Sequence, residues 1–225
     1  MGRPNHIYYP GALYHVIARG DNREPVFLSD RDYFKYLNLL RENVKKYDCT
    51  VLAYALMPNH IHLMIRAGAF PIHLAMQAVH TAYTKYVNRT YGRVGHVFQG
   101  RYKPILVEEE TYALEVNRYI HLNPVRSGLT RWPEQYPWSS YGWYMSEEQN
   151  DLLDRDYILD WFRKNGKTED FESVRRRFHE FTIEGLARKR NLEDEVIENR
   201  FLGSRDFIDR VKEEWCQAPV PGTSA

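Results

Sequence analysis

Two cysteines in 225 residues, Cys49 and Cys216, stand far apart and give neither a disulfide framework nor a metal-knuckle spacing; both read as reduced thiols. No run of eighteen apolar residues occurs, and the opening Met-Gly-Arg-Pro-Asn-His-Ile-Tyr-Tyr-Pro has no apolar signal core. Neither a membrane span nor a secretory leader is expected, which leaves a cytoplasmic protein with no membrane partner. None of the 13 glycines forms a P-loop, which argues against a nucleotide cofactor. Internal repeats are absent. Net charge is small too, at +1, but it is unevenly spread: residues 1–130 hold 16 Lys+Arg against 10 Asp+Glu, and the remainder holds 15 against 20. A basic first portion suits a nucleic-acid surface, because phosphate binding needs local positive charge. The 17 tyrosines add aromatic faces on which unpaired bases could stack, although most must serve packing.

Apolar and turn residues order the chain. Residues 11–19 have strand composition and end at Gly20-Asp21-Asn22. After Ser29-Asp30, a cap pair, Tyr33, Tyr36, Leu37 and Leu40 recur at helical spacing as far as Tyr47. Residues 50–56 and 60–66 form two strands about the turn Met57-Pro58-Asn59, and a second helix is expected over 71–91. A basic, Gly-rich segment, 92–103, leads to a strand at 104–107 and a third helix opening at Glu108, with Pro124 limiting its far end. This order predicts an α+β fold, a ferredoxin-like antiparallel sheet with helices on one face. Residues 131–141, rich in Pro and Trp, are expected to wrap a domain spanning 1–145; 146–217 read as a helical C-terminal extension and 218–225 as a disordered tail.

In His60-Ile61-His62-Leu63-Met64-Ile65, alternate side chains share a face, so the two imidazoles stand about 7 Å apart along one edge while Ile61, Leu63 and Ile65 point into a core. Both can reach one cation, although a His-x-His pair taken alone reads first as surface or hydrogen-bonded histidines. Tyr119 and Asn123, four residues apart, share a helical face, which brings a phenol and an amide oxygen together. A phenol titrates near 10, but a divalent cation beside it favours phenolate and neutralises charge on a phosphate under attack. Taken from the helix alone, a packed core tyrosine is the favoured reading of Tyr119. The stretch 85–103 interleaves Lys85, Arg89, Arg93, Arg101 and Lys103 with Tyr86, Tyr91, Phe98 and Tyr102, and adds Gln99 and Asn88 as possible readers of base edges. Its alternative is a solvated helix face and a packed loop. His15, His73, His80, His96, His121 and His179 show no comparable grouping, and most are read as structural.

Three blocks, Ala55-Leu56-Met57-Pro58-Asn59-His60-Ile61-His62-Leu63, Gly92 to Lys103, and Arg118-Tyr119-Ile120-His121-Leu122-Asn123-Pro124-Val125, give the sequence its resemblance to the REP-associated tyrosine transposases. These form a branch of the single-tyrosine HUH, IS200-like, bacterial transposases, and the resemblance covers residues 9–145. It implies a DNA nicking and joining enzyme that cleaves single-stranded DNA bearing REP-like hairpins, with His60 and His62 as metal ligands and Tyr119 as nucleophile. It further implies a 5′-phosphotyrosine intermediate and religation by the reverse reaction, hence DNA transposition and recombination. Relatives outside the branch place Gln four residues after the tyrosine as third ligand; here that position is Asn123. Hard phosphate oxygens around the cation suit Mg²⁺ or Mn²⁺ as cofactor. Two other readings compete: a catalytically silent hairpin-DNA-binding regulator, and an RNA-binding ferredoxin-like module whose first strand would lack stacking aromatics. Either a monomer or a dimer is compatible with these features.

Overall fold

The computed structural model describes residues 7–163, 170–188 and 191–215. Its centre is a five-stranded sheet in the order β2-β3-β1-β4-β5, with β1 at Leu13–Arg19, β2 at Cys49–Met57, β3 at His60–Ala67, β4 at Lys103–Val107 and β5 at Phe201–Leu202. β2 and β3 form a hairpin across Pro58-Asn59, and β1 lies antiparallel between β3 and β4. The α+β, ferredoxin-like expectation holds for β1 to β4. β5 pairs parallel with β4, so the sheet is mixed, and at two residues β5 is too short to leave an alternating pattern in the sequence.

The helices are α1 (Asp30–Lys46), α2 (Ile72–Tyr91), α3 (Glu109–Arg126), α4 (Tyr141–Met145), α5 (Asp156–Leu159), α6 (Phe171–Glu184) and α7 (Arg205–Trp215). α1 starts where the sequence places its cap: Ser29 and Asp32 form a reciprocal capping box. Buried Asp32 also accepts the phenols of Tyr86 and Tyr91, which pins α2 across α1. α3 runs two residues past Pro124. Proline in a last turn breaks only one backbone bond near an end that is already running out of them, so it did not stop the helix where expected.

Both faces of the inner sheet are buried. On β3, Ile61, Leu63 and Ile65 are enclosed on one side, and His62 and Met64 on the other, where α3 lies. Residues 131–141 do wrap the sheet. Leu56 N–H donates to the Trp138 carbonyl, Ser140 N–H to Tyr54 and Asp154 N–H to Val51, so the outer side of β2 is bonded by later chain. At the far side, Leu106 and Glu108 donate to the carbonyls of Arg200 and Leu202. No helix among the described residues is long and apolar enough to cross a membrane. Cys216 and the 218–225 tail lie outside the described residues.

Candidate active site

Strand alternation sets His60 and His62 on one face of β3, and α3 crosses that face with Tyr119 and Asn123 turned toward it. His60 Nδ1 lies 2.7 Å from Asn59 Oδ1. An amide oxygen only accepts, so Nδ1 carries the proton and Nε2 keeps a lone pair. That Nε2 is 3.5 Å from Asn123 Oδ1, also an acceptor. Two electron pairs turned toward one another with no proton between them suit a cation. Among the described residues no group of three His, Cys, Asp or Glu side chains is arranged to hold a metal. The residues present fit a hard divalent ion that keeps waters or phosphate oxygens in its other positions.

His62 is buried and stands with its ring centroid 5.0 Å from that of His60 and 5.7 Å from that of Tyr119. A third imidazole joins them. In the β1–β3 register Ile17 faces His62, so His15 is diagonal to His62 on the same face, and His15 Nε2 lies 2.9 Å from His62 Nδ1. Burial holds all three imidazoles below their ordinary pKa: His15 falls to about 3, with Lys103 adding to the effect, and His62 is held well below the ordinary imidazole value, with its histidine neighbours adding to burial. Each is neutral and can offer a lone pair.

Tyr119 is 8% exposed and donates to Glu193 Oε1 at 3.1 Å; Glu193 also pairs with Arg19 at 3.4 Å. Burial, and then the Glu193 carboxylate, raise the phenol's pKa, while the Arg126 guanidinium, 5.6 Å from the ring centroid, opposes them. Spacing revealed neither His15 nor Glu193. The first depends on a strand register that brings together residues 47 positions apart, and the second is separated from Tyr119 by 74 positions, in a short turn of 3-10 helix, Leu192–Glu195.

The six residues expected to bind DNA fall into separate places. Gln99, Arg101 and Lys103 join Arg19 and Glu193 around a cleft of about 220 Å³ at the edge of this site. Arg101 and Lys103 also line a neighbouring cavity of about 430 Å³ with Arg200. Arg93 is paired with Glu24 at 2.7 Å, and Lys85 and Arg89 are exposed on α2. Asn88, expected to read base edges, instead donates its amide to the Gly95 carbonyl and ties down the loop.

A family model described as transposase IS200 like matches residues 9–123. The chain belongs to that family. It is therefore a transposase of the IS200-like type, and every residue of the β3–α3 grouping falls within the matched span. No curated protein matches the chain. Among solved structures, a REP-associated tyrosine transposase bound to a REP hairpin is similar over 77% of this chain and 96% of its own, at 14% identity and a TM-score of 0.56. The IS200-like fold here thus shares its architecture with that protein beyond the matched residues. A Deinococcus radiodurans protein described as a transposase is 21% identical over 53% of this chain and 95% of its own, at a TM-score of 0.38.

Proposed function

We propose that this IS200-like transposase belongs to the REP-associated branch and is a metal-dependent endonuclease and strand transferase acting in the cytoplasm on single-stranded DNA with REP-like hairpins. His60, His62 and Asn123 hold Mg²⁺ or Mn²⁺, and Tyr119 is the nucleophile. What carries this reading is the convergence of His60 Nε2 and Asn123 Oδ1 at 3.5 Å on the sheet face that Tyr119 overlies. The hairpin-bound state of the structural neighbour supports the choice of DNA.

The bound cation supplies positive charge at the scissile phosphate. Tyr119 Oη forms a bond to phosphorus, the 3′ oxygen leaves and takes up a proton, and the phenolic proton passes to the surroundings. The 5′ end is then held as a phosphotyrosine diester. Attack by a free 3′ hydroxyl reverses the step, with no nucleotide consumed. Arg101, Lys103 and Gln99 beside Arg19 hold the strand where it enters the cleft, and Lys85, Arg89 and Arg93 contact phosphates farther out. Residues 1–145 form the catalytic unit.

Tyr119→Phe removes only the hydroxyl. With 3′-labelled hairpin DNA and Mn²⁺, wild type should give a denaturant-resistant adduct that peptide mass spectrometry maps to Tyr119, and the variant should bind DNA but give none. An adduct on Tyr102 or Tyr112, or one that persists in the variant, moves the nucleophile elsewhere. DNA binding with no wild-type adduct favours the regulator.

A further inference from the structure

Each metal-binding imidazole of the proposed site has its Nδ1 engaged. For His60 the partner is Asn59, a chain neighbour; for His62 it is His15, from another strand. The His15 and His62 rings are 24° from coplanar with centroids 5.2 Å apart, which sets Nε2 and Nδ1 head to head at 2.9 Å. One proton must lie between them, since two lone pairs at that distance would repel. There are two ways to place it. If His15 donates, His62 carries its own proton on Nε2, the only nitrogen left to face a cation, and cannot ligate. If His62 donates from Nδ1, its Nε2 is free, as on His60.

We propose that His15 is a positioning residue that accepts the His62 Nδ1 proton and thereby fixes the tautomer and ring angle in which His62 Nε2 binds the metal. The inference rests on the metal reading given above. His15 is suited to the role because it is 2% exposed, lies on the central strand of the sheet and is locked by register against β3. Its ring is further confined by the Tyr119 ring, which meets it edge-on at 5.8 Å. Partners of this kind act through the ligand they orient, and their loss typically weakens metal binding about 10- to 100-fold.

The test uses the full chain without DNA. Mn²⁺ affinity is measured by electron paramagnetic resonance for wild type, His15→Phe, His15→Gln and His60→Ala, and the His62 tautomer is read from long-range proton–nitrogen NMR spectra of ¹⁵N-histidine protein. His15→Phe keeps a ring but no acceptor, and should weaken Mn²⁺ binding by about 10- to 100-fold. His15→Gln restores an acceptor and should recover most of the loss, an outcome that packing alone does not give. Wild-type His62 should carry its proton on Nδ1. Unchanged affinity in His15→Phe, equal losses in Phe and Gln, or a wild-type proton on Nε2 overturns the proposal while leaving the metal reading standing if His60→Ala still abolishes binding. Should His60→Ala bind Mn²⁺ as wild type does, the metal reading itself falls, and this role with it. The NMR result needs no variant at position 15, so misfolding of His15→Phe does not shield the idea.

Discussion

β3 and α3 carry the two halves of the candidate site, and both are nearly enclosed, but by different parts of the chain. β3 is flanked by β1 and β2, so its partners come from the first 57 residues. α3 has the sheet on one side only. Its other side meets later chain: Arg118 donates to the Phe181 carbonyl and lies 4.3 Å from that ring's centroid, Arg126 donates to Gly185, Asn117 to Tyr144, and His121 bonds Ser140 Oγ at 2.7 Å. Gly185 has no room for a side chain, since a Cβ there would stand 2.7 Å from Arg118 Cδ. The imidazole pair is thus held by the segment that bears it. The tyrosine is held in place by chain outside the matched family span.

That contrast can be broken most forcefully at Phe178, fully buried in α6 with its ring 4.7 Å from Tyr144. Phe178→Ala should cost about 3–5 kcal/mol of stability in denaturant melts. At temperatures where the variant is folded, it should reduce adduct formation more than Mn²⁺ affinity; equal losses would mean that the extension supports both halves alike. A smaller effect is expected from Glu193→Gln. The carboxylate raises the Tyr119 pKa, so less phenolate is present at a given pH. Neutralising the carboxylate lowers that pKa, and the alkaline-side rise in cleavage rate should move to lower pH by about one unit, equivalent to about 1.4 kcal/mol. A profile that does not move, or moves upward, would show that Glu193 does not act on the phenol through its charge. Smallest is the change from Arg101→Ala, which should reduce the slope of log affinity against log salt by about 0.7 for a single strand. An unchanged slope would remove Arg101 from the DNA path.

Sequence spacing was informative wherever chemistry and secondary structure share a period. His60 and His62 needed only the two-residue repeat of a strand, and Tyr119 with Asn123 only the four-residue repeat of a helix, so both pairs and α1 to α3 could be placed in advance. Pro124 misled because its effect depends on distance from the helix end. α3 is buried almost all round, so it has little amphipathic signal beyond that one pair. His15 looked like any strand histidine until β1 and β3 were aligned, and the turn holding Glu193 has no period at all. Arg175 and Arg177 donate to the Met145 and Phe162 carbonyls, contacts that a local charge count cannot foresee.

The later chain also closes the sheet. Trp138, Ser140 and Asp154 occupy backbone groups along β2, while Arg200 and Leu202 occupy those beside β4. Strand borders without such partners are templates for pairing with other chains. A form cut back to the family-matched residues would therefore keep every side chain of the proposed chemistry yet carry two open borders, and it would be prone to associate into aggregates even where its local folding survived.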